Sequence, residues 1–243
     1  YRYFTDKDIT LNVSIRVADN DDNLAAYIDN KVESISWEWD RIGGCGACQF
    51  RLATNFDSTL AGLLKEDYSV RAYVEGTLWY SGFIDRVSPS VTGNDETISV
   101  LALGYVNQLK RVIVRKKEYI GQELSTIVRN IAEVYATAYT KIISSASNYE
   151  DSGFTADSVY FDESAYEAIY KLADIAGKRE WGVDANKNLF FKRRDDAVKF
   201  YFNIKQDFVS FQPIKDFNPI VTKIYLEGSD GYSQDFSVTN RIT

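Results

Sequence analysis

Histidine is absent from the 243 residues of this sequence, and only two cysteines are present. Without imidazole, neither histidine acid–base catalysis nor a Ser-His nucleophile is possible. The sequence also lacks a Walker loop and the glycine fingerprint of dinucleotide-binding folds. The enzymatic chemistry that remains is hydrolysis catalysed by Asp and Glu carboxylates alone. We therefore predict that the chain is not an enzyme and that it has no catalytic residues, no cofactor and no metal site.

Long apolar runs and a signal peptide are also missing. No stretch reaches the ~18 apolar residues of a membrane-spanning helix, and no signal peptide opens the chain. Methionine is absent and the first residue is Tyr1, from which we infer a fragment or a trimmed chain. With three prolines and no low-complexity tract, we expect no long disordered segment.

The composition favours a β-rich protein that does not bind nucleic acid generally. The formal net charge of −7 opposes non-specific nucleic-acid binding, which requires a basic surface. Such acidity fits a wall past which DNA slides, although mild acidity alone also keeps proteins soluble. Aromatic residues make up 14% of the chain, which suits strands and interfaces. The length allows one large domain or two small ones.

The clearest alternation in the sequence covers Ile9–Val17 and predicts a strand with one buried face. The acidic and amide run Asp19–Asn23 follows. Its oxygens could hold calcium, but a calcium loop needs Gly at its sixth position and Glu at its twelfth, where this sequence has Leu24 and Asn30. A plain turn is the favoured interpretation.

A second alternating stretch, Val32–Trp39, predicts another strand, with Ile35, Trp37 and Trp39 on one face. Three carboxylates lie in or beside it: Glu33, Glu38 and Asp40. A glycosidase pair is the catalytic alternative. Acidic residues on a solvated strand face are far commoner, and nothing nearby supports catalysis.

The stretch Gly43–Cys48 contains a C-x-x-C pair. Such a pair can form a redox centre or half of a zinc site. Two cysteines without histidine cannot complete a nitrogen and sulfur site, and this pair lies between strands rather than at a helix start. We expect a glycine-rich turn that enters a strand, with Cys48 packed as a small hydrophobe.

The central stretch of the chain, Leu78–Arg111, predicts two strands joined by a turn at Gly93-Asn94. With Tyr68–Glu75 and the earlier strands, at least six strands precede residue 107. Short antiparallel strands with tight turns predict a barrel or sandwich. We expect a closed or nearly closed barrel up to about Lys110. Four aromatic side chains should be largely buried in it: Trp37, Trp39, Phe50 and Phe83.

After residue 110 the pattern changes from strands to helices. Lys110-Arg111 and Arg115–Lys117 form a basic cluster, interpreted as a charged connector rather than a phosphate contact. Helical spacing from Ile120 to Tyr135 predicts an amphipathic helix, and Thr137–Asp157 is predicted to be mostly loop. A second helix is expected between a capping box at Ser164 and a C-terminal glycine, Gly177, before a β-hairpin.

Three parts of the sequence resemble tail-hub and baseplate-hub proteins of long-tailed bacteriophages. The first is G-F-I-D-x-V from Gly82 with T-I-S-V-x-A-L-G-Y-x-x-x-L from Thr97. The second is E-A-I-x-x-L-A-D-x-x-G from Glu167, followed by a hairpin with an acidic-amide turn. The third is the return strand Asp216–Gly228, and the W-x-W…G-G-C-G…F-x-L arrangement from Trp37 is similar as well.

The resemblance implies a mainly β fold with an α insertion, an α+β arrangement of a tube-like antiparallel β-barrel, a small helical region and a second β domain. The expected divisions are an N-terminal barrel at 1–110, a helical connector at 111–180 and a second β domain at 181–243. It also implies a structural subunit that links the tail tube to the tail tip and forms a ring, most simply a homotrimer, around the DNA channel.

The partners implied by the resemblance are other copies of the chain and other tail proteins. The latter are the distal tail or tube protein, the tape measure and a tail fibre or spike. DNA would pass through the channel without specific binding, and the location would be the tail tip or baseplate of the virion. The alternative is a carbohydrate-binding β module for host-surface recognition, in which exposed Trp and Tyr stack on sugars.

Overall fold

The computed structural model describes residues 12–28, 31–53, 62–92, 95–177 and 179–194, with the backbone alone for 223–227 and 233–237. The chain divides into two compact units, Tyr1–Asp195 and Asp196–Thr243. In the second unit, two strands form an antiparallel hairpin, in which Lys223 faces Ser237. The predicted turn at Gly93-Asn94 lies outside the described residues.

Strands dominate the first unit up to residue 104. They are β1 (Val13–Ala18), β2 (Leu24–Tyr27), β3 (Val32–Asp40), β4 (Ile42–Leu52), β5 (Ser69–Val74), β6 (Thr77–Thr92) and β7 (Asp95–Gly104). These strands pair in the order β3-β4-β7-β6-β5-β1-β2, with every neighbour antiparallel.

The two ends of this order, β2 and β3, are consecutive in the chain, and residues 28–31 alone separate them. Inward side chains of β1, β4, β5, β6 and β7 pack into one core that includes Ile15, Phe50, Val70, Ile84 and Val100. The sheet therefore curls around this core. Among the described strands no ladder joins β2 to β3, so the sheet is an open path rather than a closed barrel.

The second half of the first unit mixes helices with two further strand pairs. Its elements are a 3₁₀ helix (Tyr105–Arg111), β8 (Ile113–Glu123), α1 (Leu124–Ile131) with a π turn (Ala132–Ala136) and a helical turn (Thr137–Tyr139), a 3₁₀ turn (Ala146–Asn148), β9 (Thr155–Ser164), α2 (Ala165–Ala176), β10 (Arg179–Val183) and β11 (Leu189–Arg193). β8 and β9 form a separate antiparallel ribbon. The mainly β fold with a helical insertion is confirmed.

The predicted helix from Ile120 to Tyr135 begins four residues late. Ile120 and Gly121 belong to β8, and α1 starts at Leu124 because the carboxylate of Glu123 accepts the N–H of Thr126. The predicted loop at Thr137–Asp157 contains short helical turns and the start of β9. For α2 the sequence patterns hold, since Ser164 caps the first turn and Gly177 follows the last with a φ of 57°.

Two glycines permit the closest backbone contacts in the sheet. β10 runs parallel to β4, pairing Trp181–Val183 with Ile42–Gly44. A Cβ added at Gly44 would lie 2.2 Å from the carbonyl oxygen of Val183, and one at Gly104 would lie 1.7 Å from that of Cys45. Gly44 of the G-G-C-G motif and Gly104 of the A-L-G-Y motif are therefore required by packing.

Three of the four aromatic predictions hold. Phe50 and Phe83 are buried and Trp37 packs partly buried against the core, but Trp39 is 53% exposed. Trp37 and Trp39, two residues apart on β3, face Cys48 and Cys45, three residues apart on β4, so the extra residue of this bulge lies on β4. Trp39, next to the last residue of β3, stacks on Phe190 with ring centroids 6.2 Å apart instead of packing into the core.

The hairpin β10–β11 belongs to the same sheet as β4 and lies within the unit that ends at Asp195. The predicted boundary between residues 180 and 181 falls inside this unit. The predicted return strand contains the described strand Lys223–Glu227. The division into 1–110, 111–180 and 181–243 remains a prediction.

Candidate functional site

A polar junction connects segments of the first unit that are far apart in sequence. Its members come from the β1–β2 turn, the start of β5, the 3₁₀ helix, the segment after α1 and the β10–β11 turn. They are Asp22, Ser69, Arg71, Tyr105, Lys141 and Lys187.

The carboxylate of Asp22 is the acceptor at the centre of this polar junction. It accepts a hydrogen bond from the Ser69 hydroxyl at 3.0 Å, and its Oδ1 lies 2.9 Å from Nη2 of Arg71. Its other oxygen forms an ion pair with Nζ of Lys187. Burial alone would raise the pKa of Asp22, but the hydrogen bond and charge of Lys187 outweigh it and lower the pKa. Asp22 is therefore ionised at neutral pH.

Lys187 is the buried cation of the polar junction, with 7% of its surface exposed. Its Nζ also lies 5.2 Å from the centroid of the Tyr105 ring. The β10–β11 turn that carries it is fixed by Asp184, whose Oδ1 accepts the N–H groups of Asn186 at 2.9 Å and Asn188 at 2.8 Å. The acidic-amide turn thus aims one lysine inward.

Ser69 connects the remaining members of the polar junction. Its buried hydroxyl accepts hydrogen bonds from the Tyr105 hydroxyl at 2.8 Å and from Nζ of Lys141 at 3.2 Å. Burial lowers the pKa of Lys141, while the charge of Asp22 opposes that shift. The polar junction therefore connects two parts of the chain to the β1–β2 turn and the strand β5. These are the helical segment, residues 124–141, and the β10–β11 hairpin. No feature of the sequence predicted it, because Asp22 and Lys187 are 165 residues apart.

Two carboxylates of the Asp19–Asn23 turn, those of Asp19 and Asp22, are used within the protein. Oδ1 of Asp19 accepts the N–H groups of Asp21 at 3.0 Å and Asn23 at 2.9 Å, which is an Asx-type turn. Asp22 is occupied by the cations of the polar junction. Within the described ranges, no group of three or more His, Cys, Asp or Glu side chains is placed to hold a metal ion.

The two cysteines of the C-x-x-C pair are both free thiols and both buried. The bulge in β4 turns Cys45 and Cys48 to the core in spite of their odd spacing. Burial raises the pKa of Cys45 to about 11 and that of Cys48 to about 12. A thiolate is the reactive form, and both raised pKa values oppose its formation at neutral pH. That the pair does no redox or metal chemistry stays a prediction.

The charged residues weighed as catalytic or phosphate-binding are spread over the surface. Glu33 pairs with Arg51 at 3.1 Å, and both are about half exposed. Lys110 lies 5.0 Å above the ring of Tyr166, and Arg111 lies 5.5 Å above that of Phe83. These two cations contact the helical part and the sheet, as a connector does.

Glu123 is a structural residue that the sequence patterns missed. Besides capping α1, its carboxylate accepts the N–H of Ser152 at 2.8 Å and the hydroxyl groups of Ser125 and Ser152. Burial alone would raise its pKa, but these hydrogen bonds lower the pKa to about 2. An acidic residue directly before an apolar helical period was the available signal.

A groove of about 760 Å³ lies beside the polar junction. It runs between the sheet and the end of the helical segment, and its wall includes the exposed ring of Tyr139 and the half-buried ring of Tyr135. Polar side chains of Asn20, Gln108 and Arg111 also line it.

None of the helices in the described part of the chain is long and apolar enough to cross a membrane. No protein-family model and no curated protein sequence matches the chain.

Two solved tail proteins share the fold. The tail protein from Neisseria meningitidis MC58 matches with a TM-score of 0.67 at 10% identity, over 95% of this chain and 69% of its own. The 43 kDa tail protein of prophage MuSo2 from Shewanella oneidensis matches with a TM-score of 0.54 at 14% identity, over 76% of this chain and 56% of its own. The chain thus spans little more than half of the latter. The resemblance to phage tail proteins is confirmed at the level of the fold.

Proposed function

We propose that the chain is a structural subunit of a phage tail tip or baseplate hub, which joins the tail tube to the tip as a ring around the DNA channel. The observation that carries the proposal is the fold shared with a tail protein over 95% of this chain. In this role the chain is not an enzyme, and its function is structural.

The polar junction supports such a role. A ring subunit has to present its faces at fixed angles, because errors in angle accumulate around the ring. Here the buried Lys187 and the Asp22 carboxylate fix the β10–β11 hairpin to the sheet, and Lys141 fixes the segment after α1. Hydrogen bonds and ion pairs are directional, so they hold these segments in a single relative orientation, which apolar packing alone would define less strictly.

The charge and composition fit the same role. Several copies with a net charge of −7 each would form an acidic collar, which repels the DNA backbone and lets it slide. We propose a homotrimer, placed at the virion tail tip or baseplate. Its other contacts are with the distal tail or tube protein, the tape measure and a fibre or spike.

Sedimentation equilibrium of the chain over a concentration series tests self-assembly. The proposal expects a reversible shift from monomer to a single larger species, most simply a trimer, within tens of micromolar. A chain that stays monomeric across the whole series contradicts it.

A second candidate is a carbohydrate-binding module, favoured by the groove beside the polar junction. Tyr139 is 78% exposed and stands beside amide and guanidinium groups, the combination that stacks on and hydrogen-bonds to sugars. Binding on a glycan array that is lost in Tyr139→Ala but kept in Tyr170→Ala, an exposed tyrosine on α2, would support this function. An array without signal would reject it.

A further inference from the structure

Four strands of the first unit, β2, β3, β8 and β9, have one edge without a ladder among the described residues. β3 pairs with β4 alone, and β8 pairs with β9 alone. β2 pairs with β1 alone and consists of four uncharged residues, and in β9 the carboxylate of Glu163 is already paired with Lys171 of the same chain. By contrast, β11 is flanked, since Lys187 and Phe191 accept backbone N–H groups from Ile143 and Glu150.

The second half of β3, from Ser36 to Asp40, is acidic and carries an aromatic anchor. Glu38 and Asp40 are exposed, and neither forms an ion pair with any described residue. Trp39 lies between them with 53% of its surface exposed. Exposed tryptophan beside polar residues is typical of the centre of a protein interface.

The start of β8 has the opposite charge. Arg115, Lys116 and Lys117 are consecutive and exposed, and none of them forms an ion pair within the described part of the chain. Two apolar side chains flank them on the same strand, Ile113 at 53% exposed and Ile120 at 66% exposed. The edges of β3 and β8 therefore match in kind, because each carries charges that form no ion pair with a described residue beside exposed apolar groups.

From this complementarity we propose that β3 of one copy of the chain docks along β8 of a second copy, extending the sheet across the interface. The proposal rests on the proposed ring and names the surfaces that form it. Backbone groups of the two edges pair, Glu38 and Asp40 face the basic run, and Trp39 packs against the isoleucines.

Charge decides against the symmetric alternatives. Two β8 strands would oppose three cations to three cations, and two β3 strands would oppose acid to acid. The contact is therefore heterologous, with a different surface on each copy. Repetition of a heterologous contact closes into a ring when the rotation between copies permits it. The alternative is that these charges only prevent edge-to-edge aggregation, as charges on strand edges often do. If so, neither edge binds a second copy of the chain.

Charge reversal separates these possibilities. In the acidic variant Glu38→Lys and Asp40→Lys are combined, in the basic variant Arg115→Glu and Lys117→Glu, and the fourfold variant carries all four changes. Asp174→Lys, at an exposed position of α2, is the matched control. The milder pair Glu38→Gln and Asp40→Asn repeats the acidic test without reversing charge, and far-UV circular dichroism checks the fold of each.

Sedimentation equilibrium of each chain at low salt is the measurement. We expect each reversed variant to raise the dissociation constant by at least ~100-fold, since like charges then oppose one another. The fourfold variant should recover assembly, and the control should match the wild type. Two outcomes would contradict the docking of β3 on β8 without contradicting the proposed ring. Either the folded reversed variants still assemble, or the fourfold variant does not recover assembly. A wild-type chain that never assembles overturns both.

Discussion

At the residue scale, the polar junction depends on a buried lysine whose charge is compensated by one partly exposed carboxylate. Lys187 has no anionic partner besides Asp22 in the described part of the chain, whereas Asp22 also contacts Arg71 and Ser69. Removing the carboxylate therefore leaves a buried charge without compensation, but removing the lysine does not.

This asymmetry predicts unequal effects of two substitutions. Asp22→Asn should lower the free energy of unfolding by about 1–3 kcal/mol, the usual range for a buried group left without its partner. Lys187→Met should cost less than about 1 kcal/mol, because the new side chain keeps the packing and leaves no buried charge. Urea unfolding of both variants near neutral pH checks the order, and equal or reversed losses would contradict it.

The pH dependence of this difference follows from the lowered pKa of Asp22. A carboxylate with a lower pKa in the folded state contributes stability that is complete above its ordinary pKa of 3.8 and lost as the pH falls through the folded value. The gap between wild type and Asp22→Asn should therefore be constant from neutral pH to about pH 5 and shrink below about pH 4. A gap that stays constant in acid would show that Asp22 acts through shape rather than charge.

The buried thiols give a second prediction at this scale. With pKa values of about 11 and about 12, Cys45 and Cys48 should not react with a thiol reagent in the folded protein at neutral pH, and both should react in denaturant. Replacing both with Ser should leave assembly intact and cost on the order of 1 kcal/mol for each buried thiol. Rapid labelling of the native chain, or stoichiometric zinc in the purified protein, would contradict this account.

At the scale of elements, Glu123 determines where β8 ends and α1 begins. Its carboxylate caps α1 and also holds Ser152, so it links both ends of the segment inserted between β8 and β9. Glu123→Ala should lower the free energy of unfolding by about 1–2 kcal/mol, the range for a lost N-cap. Urea unfolding measures the loss, with Gln122→Ala, an exposed position on the same strand, as the control.

The pKa of about 2 for Glu123 predicts how the stability lost in Glu123→Ala depends on pH. The contribution of this carboxylate is complete above its ordinary pKa of 4.5 and is lost as the pH falls towards 2. Wild type and Glu123→Ala should therefore converge in stability below about pH 4. If they remain apart at low pH, the cap is not electrostatic in origin.

The elements that the sequence predicted best are those whose period is undisturbed. Sequence periodicity predicted β5, β7 and α2 correctly, because each of these elements buries one regular face. Trp39 was predicted to be buried because it continues the alternation of β3, but its ring lies outside the core and stacks on Phe190. The end of β8 was assigned to a helix because Ile120 happens to lie in phase with the apolar face of α1.

The polar junction and the pairing of β8 with β9 had no local signal. β8 and β9 are separated by the whole helical segment, and their register rests on pairs such as Tyr119 with Val159, forty residues apart. The G-G-C-G motif was noticed, but its cause, the approach of β10 to Gly44, depends on a strand that follows more than 130 residues later. Contacts of this kind follow from the fold and not from any single stretch.

At the scale of the whole molecule, the proposal is that copies of the chain form a ring. The fold shared with tail proteins, the polar junction that fixes the hairpin and helical segment, and the two strand edges of opposite charge all favour this assembly. The net charge of −7 per copy then favours a channel that DNA crosses without binding.

Electron microscopy of the purified chain at its assembling concentration tests this claim most directly. We expect class averages of a closed ring with a central hole wide enough for double-stranded DNA, built from identical copies. Compact particles without a hole, or open chains of variable length, would contradict it.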